Sequence, residues 1–451
     1  MDIRLKVGTA VSDDVTAISS KSYVHRLLIA SALCDEHICV VSNIVSKDME
    51  ATVRALSSLG AKINIKENGK DCFGFYINSP LAVSDRSVVT DCGESGSTAR
   101  FILPLASYYA ANAVVTGSGR LPDRPMKPLC DVLKAAGVMI DSDHLPISVS
   151  GHPQAGEYEI AGNVSSQFIS GLLFLLPLLE GRSSLKITGS FESAAYVDMT
   201  EDVLSNFNVV FEHDGATYIT GRQKYKCKTK PDDIGCIYLN AEGDWSNAAY
   251  IMAHASLGSG RAFDALTVKG LNPDSIQGDR AIIRMLDDFG VDVVLHEGKD
   301  RVLSDFTVMN NPVRPVNADC SQIPDLVPVL AVLAAYADGD SVFYNIGRLR
   351  MKECDRVEAV TSMLGAVDVL VDITSDPDTG SEHMTVHGKG RRSPVAHDII
   401  IDSFNDHRIA MAATALVLVE DRPVVIKGAE AVDKSYPGFY EIVSGLGIIK
   451  T

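Results

Sequence analysis

Positive side chains recur in this sequence beside short polar or glycine-rich turns that open apolar, helix-length runs. Lys21 directly precedes Ser22, and Arg26 lies four residues past Ser22 on the same helical face. Gly96 and Arg100 belong to Asp91-Cys92-Gly93-Glu94-Ser95-Gly96-Ser97-Thr98-Ala99-Arg100, which runs into Phe101-Ile102-Leu103. Arg120 and Arg124 flank Leu121-Pro122-Asp123, and Ser165-Ser166-Gln167 offers two hydroxyls and an amide. Lys352 and Arg356 are spaced four apart, as on one helix face, with Glu353 between them in sequence. Arg408 follows Asp406-His407, and Lys434 precedes the last amphipathic run. A helix start leaves backbone N–H groups without intrahelical partners, its dipole favours negative charge, and glycine lets a ligand approach the backbone. Cations gathered at such starts suit phosphate or carboxylate groups. The chemistry implied is binding of one or more anionic small molecules in a cleft.

Two acids stand inside this positive set. Asp325, in Ile323-Pro324-Asp325, precedes an apolar run and reads equally as a plain N-cap or as a general base. Glu353 is the second. A carboxylate among cations is held ionised and can accept a proton. No GxxxxGK[ST] loop is present, and no GxGxxG follows the first strand-like stretch, which disfavours nucleotide and dinucleotide folds.

These residues must be positioned by 451 residues, too many for one ordinary core. Six apolar runs begin at polar caps, at Ser22, Ser95, Ser165, Asp244, Asp325 and Asp406. Between them fall amphipathic helices closing near Gly60, Gly137, Asn208, Gly290, Gly365 and Gly447, where a left-handed C-cap is expected. Short alternating strands follow, such as Ala61 to Ile65 and Gly290 to Leu295. The repeat is roughly 75 residues long, beyond solenoid periods, and six copies suit two lobes of three. The polar segment Arg222 to Asp233 reads as a solvated strand pair and turn.

A formal charge of −17 argues against nucleic acid or an acidic membrane as partner. Nine cysteines without a CxxC pair or zinc spacing indicate reduced thiols in a cytosolic protein. The segment Met1 to Val7 alternates like a strand and lacks the apolar block of a signal peptide. The most apolar run, Phe168 to Leu179, falls short of the ~20 residues a bilayer requires and reads as a core helix.

Taken in order and spacing, these motifs resemble the 5-enolpyruvylshikimate-3-phosphate synthases of the enolpyruvyl transferase family over nearly the whole chain. The matching pieces are Ser20-Lys21-Ser22 with Arg26, Gly93 to Arg100, Arg120 to Arg124, Ser165-Ser166-Gln167, and Ser193 with Tyr196. Glu242-Gly243-Asp244, Ile323-Pro324-Asp325, Lys352-Glu353 with Arg356, Asn405-Asp406-His407-Arg408 and Lys434 complete the set. The resemblance implies a two-lobed, inside-out α/β fold, each lobe built of three βαβαββ units. It implies a lobe over 21–240 that binds shikimate 3-phosphate. A second lobe, from 1–20 and 241–451, would complete the phosphoenolpyruvate site. The implied reaction transfers the enolpyruvyl group of phosphoenolpyruvate to the 5-hydroxyl of shikimate 3-phosphate, releasing phosphate, in the shikimate pathway. The implied enzyme is a cytoplasmic monomer with no metal or organic cofactor.

By position, Lys21, Ser22, Arg26, Ser165, Ser166, Gln167, Ser193, Tyr196, Asp325 and Lys352 would hold shikimate 3-phosphate. Lys21, Gly96, Arg124, Gln167, Arg356, Arg408 and Lys434 would hold phosphoenolpyruvate. Asp325 would take the hydroxyl proton, and Glu353 the proton at the methylene carbon, with Lys21 as a further catalytic group. Glu94 and Arg348 stand where many relatives carry Asn, and both are left outside the assigned site. Gly96 is the small residue that usually accompanies glyphosate sensitivity. Two rival readings are a UDP-N-acetylglucosamine enolpyruvyl transferase and a non-catalytic phospho-ligand binder of the same fold. The first typically carries a cysteine in the arginine-rich loop, and Gly119 to Pro125 has none. Against the second stands the presence of both Asp325 and Glu353.

Overall fold

The computed structural model describes residues 1–258, 264–298, 303–390, 395–420 and 422–451. Apolar content and cap chemistry set the helices in pairs. Helix α1 (Lys21–Ala32) is almost wholly buried, and α2 (Lys47–Ser58) buries only one face. The pair recurs as α3 (Gly96–Tyr109) with α4 (Lys127–Ala135), and as α5 (Ser166–Leu175) with α6 (Ala195–Asn206). It returns downstream as α7 (Trp245–Leu257) with α8 (Ile282–Asp288), and α9 (Val327–Ala335) with α10 (Arg356–Gly365). The last pair is α11 (His407–Leu416) with α12 (Phe439–Gly445). Every residue of α7, α9 and α11 is buried; α9 is apolar throughout, whereas α7 and α11 also bury polar side chains such as Asn247, His254, Arg408 and Thr414.

The caps follow the sequence at four of the six buried helices. Ser95, Ser165, Asp244 and Asp406 each accept a backbone N–H of the first turn. Two expectations are corrected. The first helix is capped by Ser20, not Ser22, because the Ser20 side chain accepts from the Tyr23 amide. Leu326, not Asp325, stands at the N-cap of α9, and its side chain makes no cap hydrogen bond. The left-handed residues at Gly60, Gly137, Asn208, Gly290 and Gly447 are as expected. Gly365 is not among them; it ends α10 itself, and the chain reverses at Asp368, with φ of 57°.

Each helix pair sits on a four-stranded sheet, and all six sheets share one order. In the second, Ser84–Asp91 runs parallel to Ala110–Thr116 across the buried α3. Ile147–Ser150 and then Met139–Ile140 add antiparallel. Three sheets are completed by strands distant in sequence. Ile237–Asn240 pairs parallel with Ile38–Ser42 and supplies the edge of the first sheet. Ile3–Val7 lies between Val424–Lys427 and Ile448–Lys450, and Asp14–Thr16 pairs parallel with Ala265–Leu271.

The chain therefore divides into two compact units, Ser19–Ala241 and Met1–Ile18 with Glu242–Thr451. Hydrogen bonds fix where it divides. Ser19 and Asn43 exchange backbone-to-side-chain bonds of 2.6 and 2.9 Å, and the Ala241 amide donates to the Val41 carbonyl. The Ile18 carbonyl accepts from the Asp244 amide at 2.7 Å. The segment expected as a strand pair, Arg222 to Asp233, is irregular instead. Lys226 and Lys228 donate their amides to the Phe207 and Asn206 carbonyls, and the buried Tyr225 hydroxyl donates to the Phe174 carbonyl. Local charge hid that anchoring. Among the described residues no helix is long and apolar enough to cross a membrane.

Candidate functional site

In the unit Ser19–Ala241, the candidate groups stand at the starts of α1, α3 and α5. Arg26 is buried in the first turns of α1. Its Nε donates to Thr200 Oγ1 at 2.8 Å, Nη1 to the Ser22 carbonyl at 2.8 Å, and Nη2 to the Tyr196 carbonyl at 2.6 Å. The Phe101 ring lies 5.2 Å from its guanidinium carbon. Burial lowers its pKa to about 10, so it remains a cation at neutral pH. Lys21, on the first turn, pairs with Asp48 at 2.8 Å.

At α3, Gly96 faces two guanidinium groups. A methyl placed on Gly96 would stand 2.6 Å from Arg124 Nη1 and 2.9 Å from Arg100 Nη1. Only glycine lets both arginines close on this helix start. Arg100 donates to Gln167 Oε1 at 2.6 Å, and Gln167 Nε2 donates to Ser97 Oγ at 2.8 Å. Gln167 sits in the first turn of α5, whose cap is Ser165 and whose first residue is Ser166. Ser193 is buried with φ of 53°, and its carbonyl accepts from the Tyr196 amide. Gly96, Arg124 and Gln167 thus form one basic group with Arg100. Ser22, Arg26 and Tyr196 form another with Thr200.

In the other unit, Asp325, Lys352, Glu353, Arg356 and Arg408 converge. Arg356 is fully buried and donates Nη1 to Asp325 at 2.7 Å, Nη2 to Glu353 at 2.8 Å and Nε to Asp406 at 2.7 Å. Lys352 Nζ lies 3.1 Å from Asp325, and Arg408 Nη2 lies 3.9 Å from it. Arg408 also donates to the Ser246 carbonyl and hydroxyl, and the Tyr250 ring lies 5.4 Å from its guanidinium carbon. Lys434 donates to the Asn405 carbonyl at 2.7 Å, one residue ahead of the Asp406 cap.

Burial alone would raise Asp325, but Lys352, Arg356 and Arg408 more than reverse that and hold it well below the ordinary carboxylate range. Burial lowers Lys352, Asp325 opposes this, and Arg356 and Arg348 add to it. The expectation that Lys352 and Arg356 share a helix face is corrected. Lys352 follows a 3-10 turn over Gly347–Met351, whereas Arg356 opens α10 behind its Asp355 cap. They meet at Asp325 because two elements converge there, not because of helical spacing.

Sequence reasoning missed the partners. Asp48 holds Lys21, Thr200 holds Arg26, and Asp406 holds Arg356 while capping α11. Ser246 supports Arg408 and also bonds the buried Asp279, whose pKa burial raises to about 6. Of these only Asp406 carried a signal, by standing within Asn405-Asp406-His407-Arg408.

Residues 5–443 match the family described as EPSP synthase (3-phosphoshikimate 1-carboxyvinyltransferase). A relative from Clostridium kluyveri, named 3-phosphoshikimate 1-carboxyvinyltransferase, is 39% identical over 97% of this chain and 96% of its own. One of the same name from Pyrococcus abyssi is 36% identical over 95% and 94%. The fold is shared with EPSP synthase from Acinetobacter baumannii, at TM-score 0.75 and 22% identity over 100% and 99% of the two chains. It is also shared with the enolpyruvyl transferase NikO from Streptomyces tendae, at TM-score 0.73 and 15% identity over 100% and 98%. With the family matched almost end to end and the basic helix starts and acid pair in place, this chain belongs to the EPSP synthase family.

Proposed function

We propose that this chain transfers the enolpyruvyl group of phosphoenolpyruvate to the 5-hydroxyl of shikimate 3-phosphate, giving the enol ether and phosphate. Support comes first from Asp325 and Glu353, two carboxylates held by one buried arginine, in a chain of the EPSP synthase family. The family and its relatives' names fit a step of aromatic amino acid biosynthesis. Nine free thiols fit a reducing compartment, so the cytoplasm is the proposed location, with the chain acting as a monomer.

Lys21, Ser22, Arg26, Ser165, Ser166, Gln167, Ser193, Tyr196, Asp325 and Lys352 are assigned to shikimate 3-phosphate. Lys21, Gly96, Arg124, Gln167, Arg356, Arg408 and Lys434 are assigned to phosphoenolpyruvate. Protonation of the methylene carbon, assigned to Glu353, makes the neighbouring carbon electrophilic. The 5-hydroxyl then attacks it and passes its proton to Asp325. Loss of phosphate and return of a methyl proton to the Glu353 carboxylate restore the double bond in the product.

Asp325 at rest is too strongly paired to be an effective base. As the substrates' anionic groups engage Lys352, Arg356 and Arg408, its counterions are drawn off and its basicity rises toward the ordinary carboxylate range. The test is phosphate release from phosphoenolpyruvate with shikimate 3-phosphate, run against UDP-N-acetylglucosamine as competing acceptor. Release with the second acceptor alone, or with neither, would overturn the assignment.

A further inference from the structure

A chain of buried hydroxyls joins α1 to the start of α3. His25 Nδ1 lies 2.6 Å from Thr52 Oγ1 on α2, and Thr52 Oγ1 lies 2.7 Å from Thr98 Oγ1 on α3. The Thr98 hydroxyl donates to Ser95 Oγ at 2.8 Å, and Ser95 Oγ accepts the Thr98 amide at 3.3 Å as the cap of α3. All four side chains are at most 1% exposed.

We take the single hydrogen of the Thr98 hydroxyl to point at Ser95 Oγ, and the direction of the chain follows from that assignment. In the Thr52–Thr98 contact Thr52 therefore donates, which spends its own hydrogen. His25 must then supply the proton to Thr52 from Nδ1. Among the described residues the other acceptor within reach of Thr52 is the Asp48 carbonyl, at 3.4 Å, the longest contact of the set. Burial, with Lys21 and Arg26 alongside, pushes the His25 imidazole well below its usual pKa, so it is neutral. Its Nε2 is buried with no hydrogen-bond partner among the described residues, consistent with a ring placed for what Nδ1 does.

We infer that His25 is a positioning residue: it polarises the Thr52–Thr98–Ser95 relay and so fixes the first turn of α3, where Gly96 faces Arg100 and Arg124. The inference rests on the proposed function for the identity of the ligand, phosphoenolpyruvate. Without the Nδ1 donor, Thr52 is free to turn toward the Asp48 carbonyl, Thr98 loses its donor, and the cap loosens. A buried polar chain that loses one member leaves the next unsatisfied.

The test is steady-state kinetics of the full chain with both substrates varied. His25→Leu and Thr98→Val are each expected to raise KM for phosphoenolpyruvate about fivefold or more, the scale of one buried hydrogen bond. KM for shikimate 3-phosphate should stay within about twofold over the same variants. His25→Asn, whose side-chain amide can donate near the Nδ1 position, should restore the phosphoenolpyruvate value. An unchanged KM for phosphoenolpyruvate, an equal rise for both substrates, or no rescue by Asn would overturn the inference. Should His25→Leu fail to fold, Thr98→Val interrogates the same relay from α3. Nitrogen NMR of the wild-type imidazole gives a reading that needs no substrate. A neutral ring protonated at Nδ1 is expected, and a ring protonated at Nε2 would sink the relay. Absence of turnover in the wild type with that NMR signature present would instead sink the proposed reaction.

Discussion

Arg26 and Arg356 are both buried, both assigned to substrate, and held in opposite ways. Arg26, in the unit Ser19–Ala241, donates to a threonine hydroxyl and two backbone carbonyls. Arg356, in the other unit, donates to three carboxylates, Asp325, Glu353 and Asp406. Neutral oxygens fix a guanidinium without cancelling its charge, so the site around Arg26 stays positive for a phosphate to meet. Carboxylates cancel the charge. An anion that displaced one of them at Arg356 would leave that acid a stronger base. The first arrangement suits holding a substrate; the second suits proton transfer switched by that substrate. Lys21 departs from the pattern of its own unit, since it pairs with Asp48.

The largest effect should come from the ion-paired region. Asp325→Ala and Glu353→Gln should each lower turnover by ~10²–10⁴-fold, with shikimate 3-phosphate still bound in calorimetry. Near-normal phosphate release by either variant would remove that acid from the mechanism. Next is Arg26→Lys, which keeps the charge but cannot serve three acceptors in three directions. Loss of charged hydrogen bonds should raise KM for shikimate 3-phosphate roughly 10- to 100-fold, with turnover at saturation little changed. If turnover collapses while KM holds, Arg26 acts on the reaction and not on binding.

Gly96→Ala is smaller in effect. The added methyl meets Arg124 and Arg100 before any ligand, so both guanidinium groups must shift. Glyphosate inhibition should weaken on the order of tenfold, with a smaller loss for phosphoenolpyruvate. Equal inhibition constants for variant and wild type would show that the arginines move without consequence.

The smallest effect is on stability in acid. Asp325 is depressed in the folded state, so its contribution is fully present above about pH 4, the unfolded carboxylate value, and is lost as pH falls toward the folded one. The neutral cradle of Arg26 has no group titrating there. The unit holding Asp325 should therefore loosen first on acidification. The single tryptophan, Trp245, is buried in α7 of that unit and reports it by fluorescence. Asp325→Asn should flatten the acid dependence. Far-UV circular dichroism lost while Trp245 emission stays native would contradict the order.

Local chemistry was legible in the chain. Ser95, Ser165, Asp244 and Asp406 cap the helices they were read to cap, because capping depends only on residues two or three positions away. The sixfold alternation of buried and half-exposed helices was visible because burial leaves its period in composition. Gly96 and its neighbours were read as an anion site on the same local grounds, and what the structure places there is two guanidinium groups facing Gly96. Tertiary structure alone decided what each charge touches. Asp325 read as a possible cap but turns its carboxylate to Lys352, 27 residues away, and Arg356, 31 away. Arg356 finds Asp406 across 50 residues, and Arg26 finds Thr200 across 174. Ile3–Val7 and Ile237–Asn240 look like any other strands, yet they complete sheets begun far away in sequence. Capping and periodicity act over one or two turns of chain and are written there. Ion pairs and strand partners form between segments whose meeting is set by the packing of whole helices, so no local pattern encodes them.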